Sequence, residues 1–485
     1  MADLQPGAPG GTLSEHPKVF GLFSMVLFSV SAILVADTVG SSAAMGVQGL
    51  TFWIILGLLF FIPYGFVTAE LGSAWPDEGG IYVWVKTAFG PGWGTVTSWM
   101  YWVNVALWAP SVFVLFIGAI EVAWGVDVPP FWEAVIVIAM VWAIVLVGIL
   151  PLRYSKFVPN LSAALKVIVL VGLGVLGVAY VAKHGAANSF ALSEWKPRWN
   201  SDTISFLPII IYSYMGFELM SSAGGAIKNP KRDVPKMIGL AGVAILFVYM
   251  FATFGVLAAT PAKDVSIVTG ITDALQAMFA AVFGSAGWLF YVAVVMLLFT
   301  FFGNMVTWSI GANQTIGATG LDETAPGVFG HVNRKYGTPD YAFVLMGVIA
   351  TAITVLAYVL DPTQSNVFWT LFALSSIVFL IPYLLMFPAL LVLRRTHPDQ
   401  PRPYVIPGGR LGAWLCTILC EAGILLTLFL FFYFPAEGVS KTTFWLITGG
   451  GAVVSLLIGW WLYWHSTRRS GTKAAAVSDV QGQGQ

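Results

Sequence analysis

Charge is scarce in this chain. Lys, Arg, Asp and Glu make up 9% of 485 residues, 23 basic against 23 acidic, where a soluble globular protein carries about 25%. That scarcity excludes a soluble fold, and the absence of any block of like charges leaves nothing for nucleic acid to bind. Cysteine is scarcer still. The two present, Cys416 and Cys420, lie one helical turn apart in an apolar run, which reads as buried thiols and gives neither a disulfide nor a metal site. Five histidines, His16, His184, His331, His397 and His465, all fall in loops or at segment ends. They leave no cluster for a metal and no nucleophile–base pair for an enzyme inside the bilayer, so no cofactor is expected. Residues 1–18, rich in Gly, Pro and Ala and containing Asp3 and Glu15, lack the basic start of a cleaved signal peptide and read as a disordered cytoplasmic N-terminus.

Hydrophobic residues, in contrast, make up 58% of the chain, with 35 Phe and 20 Trp and a mean hydropathy of +0.83. Apolar runs of about 20 residues are long enough to cross a hydrocarbon core as helices, whereas a membrane β-barrel would show alternating stretches of about ten. Reading these runs against Pro, Gly and charge predicts an all-α polytopic protein with twelve transmembrane helices. The segments lie near 19–44, 50–73, 93–122, 131–150, 160–182, 204–226, 237–259, 286–318, 341–360, 368–394, 411–434 and 443–465. The stretch 265–283 is short and carries Asp273, so it is placed as a helix outside the bundle. Residues 466–485 return to Gly, Gln, Ala and Ser, the composition of a disordered cytoplasmic tail. With these boundaries seventeen Lys and Arg fall on the side that holds both termini and five on the other, which orients both termini toward the cytoplasm.

Two segments break the apolar pattern. Segment one carries Ser29, Ser31, Asp37, Thr38, Gly40, Ser41 and Ser42; segment six carries Pro208, Tyr212, Ser213, Gly216, Glu218, Ser221 and Ser222. Small polar residues also serve close helix packing. A pair of interrupted segments five apart, with an acid in each, is the pattern of a transporter with inverted repeats and a binding site near the midplane. A channel would instead show a continuous polar lining, and no P-loop or redox centre supplies another energy source. The driving force is then an ion gradient or a counter-substrate.

Several longer motifs resemble the amino acid, polyamine and organocation superfamily. They are Pro76-Asp77-Glu78-Gly79-Gly80-Ile81-Tyr82 before Phe89-Gly90-Pro91, Tyr214-Met215-Gly216-Phe217-Glu218, Lys228-Asn229-Pro230-Lys231-Arg232-Asp233-Val234-Pro235, and Arg402-Pro403-Tyr404-Val405-Ile406-Pro407-Gly408-Gly409. Within it, Phe61-Ile62-Pro63-Tyr64-Gly65 followed by Ala69-Glu70 is most similar to the bacterial glutamate:GABA antiporter-like group, although the tail is too short for those exchangers' C-terminal plug. The resemblance implies a LeuT-like fold of 5+5 inverted repeats with broken helices 1 and 6, plus two extra helices. On this chain that is a first repeat at 19–182, a second at 183–394 and helices 11–12 at 395–465.

It also implies where substrate sits: at Ala36, Asp37 and Thr38 of segment one, Tyr101 of segment three, Tyr212, Ser213 and Gly216 of segment six, Asn304 and Trp308 of segment eight, and Ser375, beside Ser376, of segment ten. Glu218 resembles the family's gate acid. Lys166 resembles a lysine of proton-coupled members, whose ammonium replaces the sodium ion of sodium-driven relatives; its static alternative is an ionic tie between helices. Asp37 departs from the pattern, because amino acid carriers often place a Gly-Ser/Ala-Gly turn there to receive the substrate carboxylate. An ionised Asp37 attracts an ammonium and favours an amine or polyamine; a buried one stays protonated when the site is empty and joins proton coupling; a third reading pairs it with Lys166. The sequence thus predicts a secondary transporter of amino acids or amines in the cell membrane, sodium-independent, working as exchanger or proton symporter. A zwitterionic amino acid antiporter and a non-transporting sensor on the same scaffold remain as alternatives.

Overall fold

The computed structural model describes residues 19–482 except 78, 267, 286 and 434–440, and gives backbone but no side chain for residues 37, 201, 202, 223, 225, 443 and 469–482. Lipid offers no partner to a backbone amide, so each apolar run closes its hydrogen bonds within a helix. Among the described residues ten helices are long and apolar enough to cross a membrane. They are Gln48–Ala74, Pro91–Trp124, Pro130–Ile149, Leu152–His184, Pro230–Ala259, Gly287–Leu321, Asp340–Leu360, Gln364–Thr396, Gly409–Tyr433 and Phe444–Arg468. These match segments two to five and seven to twelve. The bent pair Leu22–Ile33 and Thr38–Ala44, whose halves diverge by 54°, brings the candidates to eleven when it is taken as one broken span.

Segment six is not one helix. It consists of a short α-helix, Leu207–Ser213, a turn at 214–216 and a 3-10 stretch, Phe217–Ala226, which is why length alone does not count it as a span. The stretch placed outside the bundle contains the helix Gly270–Phe283. The last helix runs Lys441–Gly482, so the backbone at 466–482 continues segment twelve where composition predicts a tail.

Three local features aim side chains at the two breaks. Segments five and seven cross at glycines: a Cβ on Gly255 would lie 2.4 Å from the Leu173 carbonyl, and one on Gly177 2.7 Å from the Gly255 Cα. That close approach sets Lys166 and Tyr249 on neighbouring helices. In segment two the ladder widens into a π-turn at Gly57–Phe61 just before Pro63, which has no N–H to donate, and Tyr64 follows directly. Segment ten is interrupted by a turn at Ile381 and Pro382, and the next residue is Tyr383.

One end of the pair of breaks is tied by backbone. Phe20 N–H donates to Ala226 O at 3.0 Å, Lys228 N–H donates to Phe20 O at 2.9 Å, and Gly79 N–H donates to Ser222 O at 3.0 Å. Nearby, buried Glu70 receives Arg394 through both oxygens, at 2.7 and 2.5 Å, and Ile406 N–H at 2.9 Å, clasping segment two to segment ten and the loop beyond it.

Candidate functional site

Any helix leaves its last carbonyls without intrahelical donors. At the end of Leu22–Ile33 three different helices supply them. The Lys166 ammonium donates to Ser31 O, the Trp308 indole N–H to Ala32 O at 2.9 Å, and the Tyr249 hydroxyl to Ile33 O at 2.5 Å. The Tyr249 oxygen in turn accepts Val35 N–H at 2.9 Å and lies 3.2 Å from Ser213 O, so one hydroxyl touches both broken segments. Lys166 also donates to Asn304 Oδ1 at 2.9 Å and is 1% exposed. It therefore joins segment five to segments one and eight, with its Nζ at the carbonyl end of a half-helix.

The second half of segment one begins at Asp37, whose backbone is helical. Its side chain, and with it any pairing with Lys166, lies outside the described residues. Ala36 and Gly40 line a crevice of about 10 Å³, closed by Ile271 and Thr272 of the helix Gly270–Phe283 and by Leu115, Val268, Leu297 and Phe301.

The break in segment six turns on Gly216. Its φ is +127°, and a Cβ there would lie 3.1 Å from both Ile33 and Trp308, so only glycine lets the two broken segments meet at this point. The amides of Gly216 and Phe217 both donate to the Tyr64 hydroxyl oxygen at 2.9 Å, and that hydroxyl donates to Glu218 Oε2. Tyr101 and Tyr383 donate to Glu218 Oε1 at 2.7 and 2.6 Å. Four segments, two, three, six and ten, thus converge on one fully buried carboxyl group.

Beside this cage lies a set of rings. Trp308 meets Tyr101 (centroids 6.1 Å apart), Trp108 (5.6 Å) and Phe379 (5.2 Å), and Tyr212 meets Trp108 (5.8 Å), Phe372 (5.1 Å) and Phe379 (5.5 Å). The structure so brings together Tyr101, Tyr212, Gly216, Glu218 and Trp308, and separately Lys166 with Asn304.

Several hydroxyls expected at the site spend their proton on a carbonyl of their own segment, which leaves only the oxygen lone pairs for a ligand. Ser375 and Ser376 donate to Phe372 O at 2.9 and 2.7 Å, Ser213 to Ile209 O at 2.6 Å, and Thr38 to Val35 O at 3.3 Å. Sequence reasoning passed over Tyr64, Tyr249 and Tyr383. Tyr64 and Tyr383 each follow a proline, a usable signal for an interrupted helix; Tyr249, one tyrosine in an apolar run, carries none.

Comparison with known proteins agrees with this architecture. The family described as amino acid permease matches residues 19–457. A probable agmatine/putrescine antiporter of Lactococcus lactis is 33% identical over 82% of this chain and 84% of its own length. An uncharacterised transporter of Legionella pneumophila is 27% identical over 92% and 97%. A glutamate/gamma-aminobutyrate antiporter of Lactococcus lactis is 21% identical over 88% and 86%. Transport across a membrane, rather than enzymatic catalysis, is what these matches have in common, and the chain belongs to the amino acid permease family of the amino acid, polyamine and organocation superfamily.

Proposed function

We propose that this protein is a sodium-independent exchanger of cationic amines derived from amino acids, moving them by alternating access around the breaks in segments one and six. The observation that carries this reading is Asp37 as the first residue of the second half-helix of segment one. A half-helix N-terminus suits an anion. An aspartate at this backbone position brings a carboxylate of the chain's own in place of a substrate carboxylate, which turns the site toward an ammonium. The agmatine/putrescine relative, 33% identical, supports the same substrate class.

The proposed frame is twelve spans with both termini cytoplasmic, an orientation supported by the seventeen-to-five bias of Lys and Arg. Two inverted repeats of five, 19–182 and 183–394, precede helices 11 and 12 in the cell membrane. Ala36, Asp37, Thr38, Tyr101, Tyr212, Ser213, Gly216, Asn304, Trp308 and Ser375 form the substrate site, and Glu218, held by three tyrosines, acts as its gate. Lys166 reaches segments one and eight from segment five, and an ammonium seated there leaves no role for sodium; it is assigned to proton coupling. Offering labelled amino acids, GABA, agmatine and putrescine to proteoliposomes, with and without sodium or a proton gradient, tests the reading. Uptake of amines that is indifferent to sodium is expected, and sodium-dependent uptake, or transport of zwitterions with no competition from amines, contradicts it.

A further inference from the structure

We propose that the groove between segments two and seven holds one acyl chain of an anionic phospholipid, its headgroup at Lys231 and Arg232, and that this chain braces the break in segment six. The proposal is independent of which substrate the protein carries. The groove has a volume of about 420 Å³ and is walled by Phe61 and Gly65 of segment two, by one face of segment seven, by Tyr404 and by Phe217 of the break itself. Phe217 is 2% exposed, whereas Ile62 and Val243, which also line the groove, are 41% and 75% exposed. In a chain that spans a bilayer, that exposure is to lipid.

Length and charge identify the occupant. Segment seven contributes Pro235, Ile238, Gly239, Gly242, Val243 and Leu246, spaced i, i+3, i+4, i+7, i+8 and i+11 along a single helical face. From Pro235 to Leu246 the helix rises about 17 Å at 1.5 Å per residue, just over half of a hydrocarbon core of about 30 Å. That is the depth of one leaflet. One turn further back on the same face stand Lys231 and Arg232, both exposed. Arg232 donates its Nε–H to Asp233 at 2.8 Å, and its side chain is still 66% exposed. Basic residues at the edge of the hydrocarbon attract an anionic headgroup. Tyr404, whose ring packs on Phe66 with centroids 6.4 Å apart, suits the same interface.

Packing does not demand the two glycines of this face. A Cβ on Gly239 would meet nothing within 4 Å, and one on Gly242 would come no closer than 3.4 Å to Phe217, in contrast to the 2.4 Å clash at Gly255. What they do is keep the groove open. Protein interiors leave few voids larger than a water molecule, so a groove of this volume beside lipid takes a chain from it. A chain seated there lies against Phe217, whose ring stacks on Phe61 at 4.8 Å and whose N–H donates to the Tyr64 hydroxyl oxygen at 2.9 Å. Binding that prefers this closed break shifts the population toward it.

The test is hydrogen exchange on peptides covering residues 210–220, with the protein in phosphatidylcholine vesicles that contain rising amounts of phosphatidylglycerol. An occupant that favours the closed break slows its opening by the factor 1 + [L]/Kd. Exchange in the wild type should therefore slow saturably, about threefold once phosphatidylglycerol reaches twice its dissociation constant. In Lys231→Gln the midpoint should move about fivefold to higher phosphatidylglycerol, the factor that about 1 kcal/mol for one basic residue gives. In Gly239→Leu the protein's own side chain fills the groove, and exchange should no longer respond to phosphatidylglycerol. A wild type that ignores phosphatidylglycerol overturns the proposal. A response retained unchanged in Gly239→Leu is a general effect of membrane charge and overturns it too, and should that variant not fold, an unchanged midpoint in Lys231→Gln does the same. Protection that follows the protein-to-lipid ratio instead of phosphatidylglycerol content places a second copy of the chain on the groove and also overturns it.

Discussion

Replacing Tyr64 with phenylalanine should loosen the second break far more than the same change at Tyr383. The Tyr64 ring would keep its neighbours Phe60, Phe217 and Phe387, so the substitution removes an oxygen and little else. That oxygen accepts the amides of Gly216 and Phe217 and donates to Glu218. Two buried amides left without an acceptor cost about 1–3 kcal/mol each, and a lost bond to a carboxylate about 1.5–3 kcal/mol, so even the low ends give about 3.5 kcal/mol. Tyr383→Phe removes one donor from Glu218 Oε1, which keeps Tyr101, and costs about 1.5 kcal/mol on the same scale. The difference of about 2 kcal/mol is a factor of about 30 in an opening equilibrium. Hydrogen exchange followed by mass spectrometry on peptides covering residues 210–220 reads that equilibrium directly. Exchange in Tyr64→Phe should exceed that in Tyr383→Phe by at least this factor. Equal exchange in the two variants would refute the idea that the tyrosine oxygen holds the break.

Other perturbations follow from the same geometry. Lys166→Ala should abolish the pH dependence of exchange while leaving residual exchange, and a pH profile unchanged from the wild type removes Lys166 from coupling. Glu70→Ala leaves the Arg394 guanidinium without its bidentate partner and should cost about 3–5 kcal/mol. Lys86→Ala breaks a pair with Asp322 whose side chains are 36% and 42% exposed and should cost about 0–1 kcal/mol. Thermal unfolding of the two purified variants should therefore separate clearly, and matching midpoints would contradict the ranking.

Much of the frame was legible because bilayer thickness acts on the sequence directly. Ten long helices lie where apolar runs lie, and the polar interruptions at Asp37 and at Ser213–Glu218 mark the two breaks. Segment six shows why hydropathy alone is insufficient, since its residues are apolar enough but its backbone turns at Gly216. Lys166 meeting Asn304 was within reach of sequence, each being a rare polar residue deep in an apolar run. The partners of Glu218 were less so. Tyr64 and Tyr383 come from segments two and ten, and what brings them together is a π-turn and a prolyl interruption whose rotation of the helix face no spacing reports. Tyr249 is further out of reach: its role depends on a glycine crossing between segments five and seven, a contact between residues 81 apart at Gly174 and Gly255.

The central claim is that Asp37 gives the site its preference for an ammonium, and counterflow tests it most directly. Liposomes preloaded with agmatine should take up labelled 1,4-diaminobutane in sodium-free medium through the wild-type protein. Asp37→Asn should reduce that uptake at least about tenfold, the loss expected for one charge-assisted bond. Amine uptake by Asp37→Asn equal to that of the wild type would contradict the account.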